Sequence, residues 1–256
     1  MCRIAAYLGP PLVLAEFLQR PPHSLYRQSW APREMLTATV NADGWGVAWR
    51  CDDGRPGVYR HPLPIWADIN LDSLGRSLVS REWVGNVRSA TTGLGTSDVN
   101  TQPFTADGWL FTHNGYVADF AAGLRRELRA GLSPAIEADI QGNTDSEYLL
   151  AWLREQQTDP ANALRRTVTW LRDHLIGDDD RALLNLLISD GQMLHATRAA
   201  IGADCPSLYW HPGHSGFGGG CLIASETLDD DVGWQPVPPQ HQISLAPGRA
   251  PVFEPC

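Results

Sequence analysis

Lysine is missing from this 256-residue chain, so all 20 basic side chains are arginine, set against 29 Asp and Glu for a formal charge of −9. No basic run or basic face offsets that deficit, which argues against nucleic acid as a partner. Long apolar runs are missing too: none reaches the ~18 residues a membrane span needs. The nearest thing to a leader, "IAAYLGPPLVLA" behind Arg3, is broken by Pro10 and Pro11 and closed by Glu16, so neither a signal peptide nor a membrane partner is expected. Cysteine is scarce. Cys2, Cys51, Cys205, Cys221 and Cys256 are odd in number and irregularly spaced, which speaks against a disulfide framework and for a reduced, cytoplasmic protein. Cys205, His211, His214 and Cys221 share the stretch "CPSLYWHPGHSGFGGGC", but their spacing matches no standard zinc finger. The glycines there suggest a hairpin loop, and no metal is expected. Repeats, low-complexity tracts and linkers are absent, so residues 1–256 read as one domain.

What is present is a succession of short β-like runs between frequent turn residues: "RIAAYL", "GVAWR", "WVGNVRS", "WLFTH", "LLNLLISD", "QMLHATR", "CLIAS" and "HQISLA". Helical spacing shows in three places. Val117, Phe120, Leu124 and Leu128 follow an "HNG" turn, Tyr148 to Leu153 follow "GNTDSE", and Leu164 to Leu175 follow Pro160, itself well placed at a helix start. Strands cluster rather than alternate with helices, so the fold is expected to be α+β, with sheets packed under helices. The C-terminal "PPQHQISLAPGRAPVFEPC" reads as a last strand and a tail.

Cys2 directly behind the initiator Met1 has three readings: part of a leader, an incidental strand cysteine, or a residue exposed by removal of Met1. In the last, the thiol and a free α-amine of ~7.7–8.0 would combine a nucleophile and its general base on one residue. Four other segments join turn residues to groups that turns do not require. In "NADGWGVAW", Asp43-Gly44 suits a hairpin, while Gly44 and Gly46 would also let backbone approach a ligand. In "NVRSATTG", Arg88 is either an exposed strand residue or a fork for a carboxylate. In "FTHNGYVADF", Asn114-Gly115 is either a hairpin turn or a pair of donors for an oxyanion, the Asn114 amide and the Gly115 N–H. In "GNTDSE", Thr144 and Glu147 form a capping box, which leaves Asp145 to favour the helix dipole or to hold an ammonium group. Together these are an inventory for recognising an α-amino acid at both charged ends and cleaving it at a γ-carbonyl.

The ordered set "MCR…NADGWG…VRSATTG…HNG…TDSE…SDG" resembles the class II glutamine amidotransferases, which are N-terminal-nucleophile hydrolases, over essentially the whole chain. The resemblance implies a four-layer α/β/β/α sandwich of two mainly antiparallel sheets. It makes Cys2 the nucleophile, Asn114 and Gly115 the oxyanion hole, Arg88 the grip on the α-carboxylate, Asp145 the partner of the α-amine and Thr91 a wall of the glutamyl pocket. It implies no cofactor and a small-molecule γ-glutamyl substrate; oligomeric state, a homo-oligomer included, stays open. Many family members have Trp, His and His where this chain has Ser89, Thr92 and Gln102, which puts the leaving group in doubt. A chain of this length lacks a synthase domain, so hydrolysis outright, or ammonia supply to a separate subunit, is implied. The wider sequence is most similar to the stand-alone γ-glutamyl hydrolases of ergothioneine biosynthesis, which act on γ-glutamyl-hercynylcysteine sulfoxide. A glutaminase subunit, a peptidase of glutathione-like compounds and a silent γ-glutamyl-binding module are the alternatives.

Overall fold

Eight apolar runs become eight strands, and each takes its place by which face it can bury. The structure, a computed structural model, describes residues 2–35, 39–90 and 96–256. The first sheet contains β1 (Arg3–Val13), β2 (Trp45–Arg50), β3 (Pro56–His61), β4 (Val79–Val87), β9 (Tyr209–His214), β10 (Gly220–Ala224) and β11 (Gln235–Pro236) in the order β11-β9-β10-β1-β4-β2-β3. The second contains β5 (Phe104–Ala106), β6 (Trp109–Val117), β7 (Ala182–Ser189), β8 (Leu194–Ile201), β12 (His241–Leu245) and β13 (Val252–Pro255) in the order β13-β12-β8-β7-β6-β5. All pairings between these strands are antiparallel.

Strand alternation sorts β1 into two cores. Ile4, Ala6 and Leu8 meet Leu110, Leu187 and Leu245 between the sheets. Ala5 and Tyr7 turn the other way, into a layer with Phe17, Leu25 and Leu71 supplied by α1 (Leu14–Leu18), α2 (Leu25–Gln28) and α3 (Leu71–Ser77). The outer face of the second sheet is covered by α4 (Leu124–Ala130), α5 (Pro134–Ala138), α6 (Asp145–Glu155) and α7 (Pro160–His174). Leu128, Leu149, Leu153, Leu164 and Leu171 from these helices pack against Phe111, Leu184, Leu186 and Ile188. The result is helix, sheet, sheet, helix, as the sequence resemblance implied. Among the described residues no helix is long and apolar enough to cross a membrane.

Several local expectations change. "HNG" is not a turn: β6 runs straight through Asn114 and Gly115, paired with Asn185 and Leu184 of β7. Val117 therefore ends a strand, and the helix begins only at Leu124. The capping box is half formed. Thr144 Oγ1 accepts from Glu147 N (3.2 Å), but the Glu147 carboxylate accepts from the Gln141 and Gly142 amides instead. The C-terminal tail contains a further strand, β13, added to the edge of β12.

Candidate active site

Cys2 sits immediately before β1, nearly buried, at the end of the strand that lies in the middle of the first sheet. Its position is fixed from both sides. Arg3 pairs with Val87 in the ladder to β4, and Ser225 binds Ile4 three times, its N–H (2.9 Å) and Oγ (3.2 Å) donating to Ile4 O and its Oγ accepting from Ile4 N (3.0 Å). The Arg3 side chain faces away from the sheet gap, where Nε meets Glu226 (2.9 Å) and Nη2 donates to Glu34 O (2.9 Å). Glu226 also accepts the Arg33 and Glu34 amides, so it ties the 33–34 backbone to the strand that carries Cys2. Ser225 and Glu226, from "CLIASE", were not singled out in the sequence.

Past its last strand residue, β4 continues into Arg88. The ladder extends with it: Arg88 N donates to Gly44 O (2.8 Å) and Asp43 N donates to Arg88 O (2.9 Å). Gly44 has φ +119°, a backbone conformation that side chains disfavour. Asp43-Gly44 thus makes no hairpin; it runs alongside Arg88, and Asp43 Oδ2 accepts the Ala90 amide (2.8 Å). The Arg88 guanidinium is buried, and among the described residues its one side-chain hydrogen bond is Nη1 to Asp43 O (3.1 Å). No carboxylate among them pairs with it.

The second sheet supplies the facing wall. Asn114 is fully buried and donates from Nδ2 to Cys2 O (2.5 Å), so the two sheets meet at Cys2. Gly115 follows; a Cβ there would coincide with Leu183 O, so the strand passes β7 too closely for any side chain. Asp145 opens α6 and is 9% exposed. It accepts from Val117 N (2.8 Å), Ser146 N (2.7 Å) and Ser146 Oγ (3.1 Å), and no cation among the described residues neutralises it. Cys2, Arg88, Gly115 and Asp145 line one narrow cavity together with Ser89, Asn100, Gln102 and Ser146. Thr91 lies outside the described residues. Roomier clefts exist; one of about 450 Å³ is lined by Arg60, Pro103, Phe104 and Glu147, and no cysteine is among its lining residues.

Behind the cavity is a polar network that sequence reasoning missed. Gln102 Oε1 accepts His113 N (2.6 Å) and Thr112 Oγ1 (3.1 Å), and its Nε2 donates to His113 O (3.1 Å) and Ser146 Oγ (3.3 Å). Asn86 of β4 donates to Thr112 Oγ1 (2.9 Å) and so bridges the sheets. A weak signal was present: Asn86 and Asn185 interrupt the apolar stretches "WVGNV" and "LLNLLI".

The other grouping noted in the sequence behaves differently. Cys221 lies on β10 in the inter-sheet core, its thiol pushed up to about 12 by burial, and Cys205 donates to Arg198 O. His211 and His214 are joined instead by Asp231, their ligand atoms within 4.8 Å of one another. The β9–β10 connection is the expected hairpin. Gly213 N donates to His211 Nδ1 (3.2 Å) and Gly216 N to His214 Nδ1 (3.1 Å). Both imidazoles therefore hold their proton on Nε2, where His211 faces Asp231 (3.1 Å) and His214 faces Asp229 (3.1 Å). A metal-binding imidazole normally donates from its other nitrogen, and here that nitrogen accepts.

This fold, with a cysteine at the strand end and a buried Arg and Asp around it, defines a class. The chain belongs to the class II glutamine amidotransferase family: the family described as "Glutamine amidotransferases class-II" matches residues 22–203. It is 33% identical over 245 residues to the gamma-glutamyl-hercynylcysteine sulfoxide hydrolase of Mycolicibacterium smegmatis, covering 96% of each chain. It is 34% identical to the protein of the same name from Mycobacterium tuberculosis H37Rv, over 96% of this chain and 93% of that one. A solved structure, a glutamine aminotransferase class-II domain protein from Silicibacter pomeroyi, superposes with a TM-score of 0.74 at 25% identity, covering 99% of both.

Proposed function

We propose that this protein is an amidohydrolase that cleaves γ-glutamyl amides through a thioester on Cys2, and that it releases glutamate from γ-glutamyl-hercynylcysteine sulfoxide in ergothioneine biosynthesis. One observation carries the reading. A buried cation, Arg88, and a buried anion, Asp145, line the same narrow cavity as Cys2, and neither has a charged partner among the described residues. Uncompensated buried charge is destabilising, and a ligand bearing an α-carboxylate and an α-ammonium would compensate both. The relatives' names support the leaving group, as does the ergothioneine-branch similarity of the sequence.

The chemistry then runs as follows. Removal of Met1 frees the Cys2 α-amine, which takes the Sγ proton. The sulfur attacks the γ-carbonyl carbon, and the oxygen gains the negative charge. Asn114 Nδ2 carries two hydrogens; one is engaged with Cys2 O, and the other converges with the Gly115 N–H on the oxyanion. Collapse breaks the C–N bond, and the α-ammonium returns its proton to the departing nitrogen. Water next attacks the thioester, giving a proton to the amine; the C–S bond breaks, the sulfur is reprotonated and glutamate leaves.

Intact mass before and after incubation with 6-diazo-5-oxo-L-norleucine tests this, together with glutamate release from γ-glutamyl-hercynylcysteine sulfoxide. The expected result is a chain lacking Met1, a single adduct on Cys2, and release reduced at least ~10³-fold in Cys2→Ala, the order lost with a catalytic nucleophile. Full turnover by a form retaining Met1, or an adduct at another residue, overturns the mechanism. Labelling at Cys2 without turnover of this amide overturns the substrate alone.

A further inference from the structure

The strand β7 is "ALLNLLIS", buried at every position, and its single amide is Asn185. Asn185 Nδ2 donates twice, to Asn114 Oδ1 (3.1 Å) and to Ser207 O (2.8 Å). Its own Oδ1 is buried and has no hydrogen-bond partner among the described residues. Asn114 in turn directs Nδ2 at Cys2 O. The two ends of this chain are carbonyl oxygens, which only accept. That fixes both amides: turning Asn185 over would set its oxygen against Ser207 O and Asn114 Oδ1, and turning Asn114 over would set oxygen against Cys2 O.

We infer that Asn185 is a positioning residue that holds Asn114 with its N–H groups toward the nucleophile and the developing oxyanion, by occupying the Asn114 oxygen from behind. This rests on the reading of Asn114 as an oxyanion donor. The physical need is specific. The terminal torsion of an asparagine side chain is broad and nearly two-fold, so packing alone distinguishes the two ends of the amide poorly. An inverted Asn114 would present a lone pair where charge accumulates, turning a stabilising group into a repelling one. Asn185 leaves an acceptor of its own unpaired, a feature that buried amides ordinarily avoid, and the alignment of Asn114 accounts for it. No described contact places Asn185 against the α-carboxylate or α-amine sites, so its influence should fall on the reaction and not on glutamyl binding.

Hydrolysis of L-γ-glutamyl-p-nitroanilide separates those effects, because its amide carbonyl is itself attacked and its leaving group is not the natural one. Asn185→Leu should lower kcat about 10-fold. Asn185→Asp, whose carboxylate invites Asn114 to invert, should lower it about 10²-fold or more, the order of losing one oxyanion donor. KM should stay within about threefold in both. Added to Asn114→Ala, Asn185→Leu should cost nothing further, since a residue acting through Asn114 has no effect without it. Should the Asp variant fail to fold by circular dichroism, the Leu variant and the double variant still decide. A rise in KM with kcat unchanged, unaltered kcat in a folded Asn185→Leu, or multiplying effects in the double variant would overturn the inference while leaving the Cys2 mechanism standing. A wild-type chain that forms no 6-diazo-5-oxo-L-norleucine adduct at Cys2 and does not hydrolyse the anilide, or one whose turnover is indifferent to Asn114→Ala, would overturn both.

Discussion

The Cys2 cavity and the His211–His214 cluster look equally promising as lists of reactive residue types, yet their hydrogen bonding is opposite. In the cluster the two carboxylates, Asp229 and Asp231, lie partly in solvent and the hydrogen bonds of their own loop and of His211 and His214 hold them. Burial pushes the Asp229 carboxyl up, but bonds from Trp234 Nε1, His214 and the Asp231 amide outweigh it and hold the group below the usual carboxylate range. The Gly233 amide and His211 do the same for Asp231. In the cavity Arg88 and Asp145 have no charged partners among the described residues. Completed pairing marks a structural device; buried charge left without a counter-charge marks a place for something else.

The largest expected effect breaks the cavity side of the comparison. Arg88→Leu should raise KI for 6-diazo-5-oxo-L-norleucine about 100-fold, roughly 2.7 kcal/mol of lost binding. Thermal stability should hold or rise, because a desolvated cation without a counter-charge gives way to an apolar group. Loss of stability with KI unchanged would mean that Arg88 belongs to the scaffold. The cluster should give the mirror image. His214→Ala strands the Gly216 N–H and removes partners from Asp229, which should cost about 1–3 kcal/mol in chemical denaturation, with labelling of Cys2 altered less than about twofold. A variant that keeps its stability but loses labelling would move the cluster into the site.

Much of this was legible in the sequence, and the limits have physical causes. All eight β-like runs became strands, and "LLNLLIS" is buried at every position. Short edge strands such as β5 and β11 escaped notice, since two or three residues show no period. Asn114-Gly115 was read with an open alternative because the pair suits a tight turn; tertiary crowding by Leu183 O accounts for the glycine instead, in an extended strand. Arg88, Asp145 and Cys2 could be chosen for residue type and for family resemblance. Gln102 stood out only as a departure from the family pattern, and the roles of Gln102, Asn185, Ser225 and Glu226 stayed hidden, because what distinguishes them is which backbone group each one reaches, and partners 11 to 221 residues away are set only by the folded chain.

The smallest expected effect, close to zero, is the one that sharpens the comparison most. A resident Zn²⁺ ion at His211, His214 and Asp231 would stabilise the fold by mass action, by about 2.7 kcal/mol at a hundredfold excess over its dissociation constant, a shift of a few degrees in a chain of this size. Binding through Nε2 would require each imidazole to move its proton to Nδ1. There it would confront the N–H of Gly213 or Gly216, so two backbone hydrogen bonds would be exchanged for two donor–donor contacts. Added Zn²⁺ at about 100 μM should therefore shift the melting temperature by less than about 1 °C. It should shift His214→Ala no differently, because neither protein offers a ligand set in the required tautomer. A rise of several degrees, abolished in His214→Ala, would show that the hairpin repacks to release its histidines, and that completed pairing is a poorer guide to structural roles than the contrast with the Cys2 cavity suggests.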